Sequence, residues 1–140
     1  MFALEKRPMR SRVTVSADKT DKILTVRYIG DIDGSEITDS QIQQMSEIEN
    51  VWEYDAIFDL RRYDSVVLSP EVQELGERWR ELVSGKDAGR CSAIITTDPF
   101  LIARLPVTRS RFPGRHIEIF AHFDEGLGWI KAHQTQGAAV

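Results

Sequence analysis

The chain has 140 residues, 41% of them hydrophobic and 29% charged, with a net charge of −4; that is the size of one domain and the balance of a globular chain rather than a disordered one. The negative sign disfavours nucleic acid as a partner, and the single cysteine, Cys91, excludes an internal disulfide and a zinc site built on paired cysteines. No run of 18 apolar residues predicts a membrane span, the first ten residues lack the apolar core of a signal peptide, and the default location is the cytoplasm.

Residues 1–11 read as a loose basic tail. "RVTVSA" (12–17) alternates as a half-buried strand does, and "KILTVRYIG" (22–30) reads as its hairpin partner. From residue 35 the period lengthens. Ile37, Ile42, Met45, Ile48 and Trp52 form one helical face, with Asp33 as cap and Glu36 as its capping-box partner. "DAIFDL" (55–60) is a short apolar strand of the kind buried on both faces. Ser69-Pro70-Glu71 predicts a second helix with Ser69 as the cap and Pro70 in its first position; Val72, Leu75, Trp79, Leu82 and Val83 are its inner face.

"CSAIITT" (91–97) is the next buried strand, and Asp98-Pro99 starts a helix over 99–105 that Pro106 interrupts. "HIEIFAH" (116–122) is the last strand. "DEGLGWIKAH" (124–133) is a last helix weakened by Gly126 and Gly128, and 134–140 is a tail. Strands alternating with helices imply a largely parallel sheet, and the opening hairpin makes it mixed: an α/β domain over residues 12–133, with about five strands and four helices.

Charge is unevenly spread. Nine acids and no Lys or Arg stand between Tyr28 and Leu60, whereas Arg104, Arg109, Arg111 and Arg115 stand between Pro99 and Ile117 with no acid among them. The two regions read either as neighbouring surfaces that partly neutralise each other or as features that steer a partner or an anion. The segment 104–115 is the best anion-binding candidate, because arginine suits carboxylate and phosphate; the alternative is a solvated loop rim.

Catalytic and metal motifs are missing. The acidic stretch "DIDGSEITD" after Gly30 fails as a calcium loop, with Glu36 and Ile42 where a glycine and a glutamate are needed, and it fails as a phosphate cradle for want of a Gly-rich run with a lysine. Ser65 and Ser69 follow a buried strand, but "VVLSPE" is not a nucleophile elbow. Cys91 begins a buried strand, where a lone cysteine is core. No cofactor is expected, and no enzyme. Val66, Val67, Leu68, Phe100, Leu101, Ile102 and Leu105 lie near strand carboxyl ends, where they either line an apolar cleft or close the core.

Three stretches, in this order and spacing, carry a resemblance. "VRYIGDIDGSEI" (26–37), "AIFDLRRYDSVVLSPE" (56–71) and "HIEIFAHFDEGLGWI" (116–130) resemble the strand–turn–helix entry, the central strand with its following loop, and the closing strand and helix of the STAS-like family, in its SpoIIAA-like branch related to the anti-sigma-factor antagonists. The resemblance implies helices mostly on one face of the sheet. It also implies a non-enzymatic module that binds a protein partner or a small ligand. In the antagonists a serine at the start of the second helix is phosphorylated; that position falls on Ser69, although "VLSPE" replaces the family's Asp-Ser-Ser-Gly-like turn. The branch also resembles lipid-binding CRAL-TRIO domains in fold, which implies as the alternative a carrier of an amphipathic or anionic ligand with Arg104, Arg109 or Arg111 at its head group. An edge strand and two surfaces of opposite charge are compatible with a homodimer.

Overall fold

A computed structural model describes residues 11–87 and 89–138; the expected tail at 1–11 lies, but for Ser11, outside them. Five strands form one sheet in the order β1 (Arg12–Asp18), β2 (Ile23–Gly30), β3 (Asp55–Tyr63), β4 (Cys91–Ile95), β5 (His116–Phe120). The β1–β2 pair is antiparallel and the other three pairs are parallel. The mixed sheet with β3 at its centre is therefore the arrangement that the hairpin and the βα alternation call for.

Alternation along each strand sorts the core into two layers. Leu24, Val26, Tyr28, Ala56 and Leu60 face a large core beneath α1 (Gly34–Ser46) and α2 (Ser69–Val83). Ile23, Ile57, Cys91, Ala93 and Ile95 face a smaller one beneath α5 (Phe123–Ala138). The short helices α3 (Pro99–Ala103) and α4 (Leu105–Arg111) lie with α2 on the first face, so helical cover is mostly on one side, with α5 alone on the other.

Four boundaries differ from the sequence reading. Helix α1 stops at Ser46, and Trp52 belongs to a separate 3-10 turn, Val51–Glu53. Strand β3 runs on to Tyr63 through a bulge where Leu60 and Arg61 together oppose Tyr28. Pro106 does not leave a loop behind it. It stands in the first turn of α4, where a missing N–H is no loss, so most of the arginine-rich segment is helical. Residues 134–138, read as tail, continue α5, and Gln134 Nε2 donates to Asp55 Oδ2 at 2.8 Å.

Two local devices stabilise the frame. The Gln44 amide donates to Val13 O at 2.8 Å and accepts from Val15 N–H at 2.9 Å, which occupies part of the outer edge of β1. On the α5 face, Asp59 is 6% exposed and accepts from Arg61 Nε (2.8 Å) and Nη2 (2.9 Å) and from Arg27 Nε (3.3 Å). Both guanidinium groups lie over the Phe123 ring, at 5.4 Å and 5.9 Å.

Gly126 and Gly128 are not equivalent. A Cβ on Gly126 would lie 2.7 Å from Ile95 Cδ1 and 3.2 Å from Ala93 Cβ, whereas one on Gly128 would meet nothing within 4 Å among the described residues. Glycine at 126 is thus what lets α5 approach β4 closely. Gly128→Ala is expected to stabilise by about 0.5–1 kcal/mol through helix propensity, and Gly126→Ala to destabilise by about 1–3 kcal/mol through overpacking, both measured by urea unfolding. Arg61 and Arg27 hold the Asp59 carboxyl below its ordinary value. A depressed carboxylate stabilises above its unfolded pKa, about 3.9, and loses that contribution as pH falls through its folded value. Asp59→Asn should therefore lower stability at pH 7 and flatten the loss of stability below pH ~4 in acid titrations followed by circular dichroism.

Candidate functional site

The carboxyl ends of β2, β3 and β4 and the amino ends of α1, α2 and α3 share one edge of the domain, the place where open α/β sheets put their sites. Asp33 caps α1, accepting from Glu36 N–H at 3.0 Å, and Asp98 caps α3, accepting from Phe100 N–H at 2.9 Å. Between them lies the loop 64–68, anchored by Asp64 N–H donating to Gly30 O at 2.9 Å.

Helix α2 begins differently from the sequence expectation. Its N-cap is Leu68, extended at φ −78°, ψ 157°, and Ser69 already occupies the first helical position. Leucine has no side-chain acceptor. The compensation comes from Glu71, whose Oε1 accepts the Leu68 N–H at 2.7 Å, while Glu71 and Val72 N–H donate to Leu68 O at 2.9 and 3.0 Å. The Glu71 carboxylate also sits against Gly34, where a Cβ would overlap it, so the starts of α1 and α2 interlock. Ser69 is exposed on this first turn. Ser65 is half-buried.

The exposed apolar side chains of the described residues concentrate in two segments of this region. Leu68 is 59% exposed and Val66 38%; Phe100 is 73% exposed, Ile102 47% and, on α4, Val107 38%. Their neighbours Val67 and Leu101 turn inward, along with Arg104, onto one cavity of ≈ 120 Å³ between the sheet and helices α2 and α4. Trp79, Ile94, Phe112 and Ile117 form much of its wall. Of the apolar residues that the sequence offers either for a cleft or for the core, Val67 and Leu101 line a cavity, while Val66, Leu68, Phe100 and Ile102 face out.

The four arginines are not one cluster. Arg115 is turned inward, with only 5% of its side chain exposed. It pairs with Asp87 (Nε to Oδ1, 3.0 Å), donates to Tyr54 O (2.6 Å) and Trp52 O (3.2 Å), and stacks over Trp79 at 5.0 Å. These bonds commit it to the frame instead of to a bound anion. Burial pulls its guanidinium below the ordinary value, against the opposing pull of Asp87 and Asp55. Arg109 is occupied by Ile117 O (3.1 Å) and Glu118 (2.9 Å). Arg104 and Arg111 each keep one solvent-shielded nitrogen, Nη1 and Nε respectively, without a hydrogen-bond partner among the described residues.

Asp39 pairs with Arg78, Asp55 with Arg90 and Asp59 with Arg27 and Arg61, so these acids of the first half meet other partners than the basic segment. Cys91 is 3% exposed, and burial pushes its thiol up to about 11, which keeps it protonated. No group of three or more potential metal ligands occurs among the described residues.

No protein-family profile and no curated protein sequence matches the chain. Solved structures do. A Shewanella loihica protein of the DUF3478 family with a SpoIIAA-like fold superimposes with a TM-score of 0.61 at 16% identity, over 89% of this chain and 98% of that one. The anti-sigma factor antagonist SpoIIAA in its unphosphorylated form superimposes with a TM-score of 0.56 at 11% identity, over 85% and 97%. The chain has a SpoIIAA-like fold, as the order of its three sequence stretches implies.

Removing a buried arginine leaves its carboxylate partner buried and uncompensated. Arg115→Ala is expected to lower unfolding free energy by about 3–5 kcal/mol, and Arg115→Lys to recover only part, since lysine cannot reproduce the planar fork. Arg109→Ala, breaking a half-exposed pair, should cost no more than about 1 kcal/mol. Urea titrations of the three variants check the ranking.

Proposed function

We propose that this SpoIIAA-like domain is a non-enzymatic regulatory module that binds a protein partner through its carboxyl-end surface: the loop 64–68, the first turn of α2, and α3. The observation that carries the reading is Leu68. An N-cap is a position for Ser, Thr, Asp or Asn, and a residue without an acceptor there costs about 1 kcal/mol; here the cap is a leucine with 59% of its surface in water. A local rule broken twice over, by capping and by exposure, marks a functional surface. Phe100, 73% exposed in the first turn of α3, breaks the exposure rule in the same way.

Exposed leucine and phenylalanine suit a partner with an apolar anchor pocket. The likeness to an anti-sigma factor antagonist supports a protein-binding role at the level of the fold. Ser69, exposed beside Leu68, is where a phosphate would alter that surface. It would place about two negative charges next to Glu71 and the apolar patch.

The test separates folding from binding. Leu68→Ser should raise stability by about 1 kcal/mol by supplying a proper cap, yet weaken binding to the cellular partner, recovered by affinity purification and then measured by calorimetry, at least about tenfold. Phe100→Ser should weaken it likewise without loss of stability. Undiminished affinity in both variants would overturn the assignment. Ser69→Asp should weaken the partner and Ser69→Ala should not; equal affinities would remove Ser69 as a switch while leaving the surface in place.

A further inference from the structure

The cavity behind this surface has its own chemistry, independent of any protein partner. Ala56, Ser92 and Ile117 stand side by side on β3, β4 and β5 and form part of its floor. The Ser92 side chain points there because its neighbours Cys91 and Ala93 face α5 and strand residues alternate. Phe58 and Ile94, the next pair in register, also line the cavity and are only half-buried although they lie in mid-sheet, so the helices above leave this space unfilled. The wall is overwhelmingly apolar, and its other hydroxyls already donate: Tyr28 to Gln41 Oε1 at 2.6 Å and Thr108 Oγ1 to Arg104 O at 3.3 Å. Ser92 is the exception. It is 7% exposed, and its hydroxyl has no hydrogen-bond partner among the described residues. The partnerless side-chain atoms that packing shuts off are nitrogens of Arg90, Arg104 and Arg111; Ser92 Oγ is not one of them, so an occupant of the cavity can reach it. A buried hydroxyl without a partner is costly, and a lone water needs more polar partners than so apolar a wall supplies.

We infer that the cavity binds an uncharged single-ring molecule carrying one hydroxyl, its ring against the apolar wall and its hydroxyl hydrogen-bonded to Ser92 Oγ. The size follows from volume. An apolar cavity of about 150 Å³ accepts benzene, so ≈ 120 Å³ takes a single ring and excludes a long acyl chain. The polar group follows from Ser92, whose hydroxyl can both donate and accept and so matches another hydroxyl in either sense. The absence of charge follows from the wall. An ionised group would shed its water against apolar side chains, Arg115 is already held by Asp87 and two carbonyls, and Arg104 Nη1 is closed to any occupant.

Phenol is the probe, with benzene as the ring alone and benzoate as a charged comparison. Titrations of the full chain at pH 7 are read by calorimetry and by the chemical shift of the Trp79 indole N–H. Phenol should bind saturably and at least as tightly as benzene, and benzoate at least about tenfold more weakly than phenol, the cost of bringing an ionised group to an apolar wall. Ser92→Ala should weaken phenol about tenfold, because its hydroxyl is then buried without a partner, while benzene binds no more weakly than before. Ile94→Phe, which fills the cavity, should abolish binding of both. No saturable binding of phenol, phenol weaker than benzene, or benzoate as tight as phenol overturns the assignment. So does Ser92→Ala with undiminished phenol affinity. Should Ile94→Phe not fold, the three-ligand comparison and Ser92→Ala still decide. Leu68 and Phe100 do not line the cavity, so loss of partner binding in their variants leaves this result untouched.

Discussion

A buried guanidinium sets the frame. Arg115, at the foot of β5, reaches across the amino ends of the strands to the carbonyls of Trp52 and Tyr54, just before β3, and to Asp87, just after α2. Asp87 in turn accepts from Trp79 Nε1 at 2.8 Å, so one ion pair fixes the last turns of α2 against two strand starts. Asp55 does the matching work on the other side of the sheet: it accepts from Cys91 N–H (2.7 Å), Arg90 (3.0 Å) and Gln134 (2.8 Å) and so joins β3, β4 and α5. Charges this deep are tolerated only when nearly every donor and acceptor is met.

With the amino ends locked by ionic and polar bonds, the carboxyl ends are free to depart from what stability would choose. That is where a leucine stands at an N-cap and a phenylalanine lies open to water. The cavity belongs to the same division. Helix α4 approaches α2 closely because Gly76 has no Cβ: one there would lie 2.7 Å from Arg111 O. Near that contact the helices close. Away from it, between Trp79, Leu101 and the sheet, they do not fill the space. The site is thus a consequence of where the frame is rigid and where it is left unfilled.

How much of this was legible in the sequence depends on the range of the interactions. Periodicity found the five strands and the inner faces of α1 and α2, because those signals repeat within a few residues. Asp33 and Asp98 read correctly as caps for the same reason. Ser69 did not, because Ser69 and Leu68 both precede Pro70, and only the backbone turn decides which of them is the cap. Pro106 read as an interruption because proline ends one helix and begins another with the same chemistry. Gly126 read as a weakness because its partners, Ala93 and Ile95, are some thirty residues away. The arginine segment was legible as charge, but not as division of labour. Nothing local distinguishes Arg115, whose partners lie 28 to 63 residues back along the chain, from Arg104, which has a nitrogen with no partner among the described residues.

The loop after β3 shows why fold likeness and function have to be argued apart. At 11–16% identity the two solved neighbours share the frame with this chain, and a frame of this kind is held by sheet order and buried contacts that many sequences can supply. Three consecutive residues of this loop divide between two surfaces. Val66 and Leu68 face water while Val67 lines the cavity. Leu101 repeats the arrangement in α3, facing the cavity between the exposed Phe100 and Ile102. Val67 and Leu101 on the cavity side and Val66, Leu68 and Phe100 on the water side thus belong to the same two short segments.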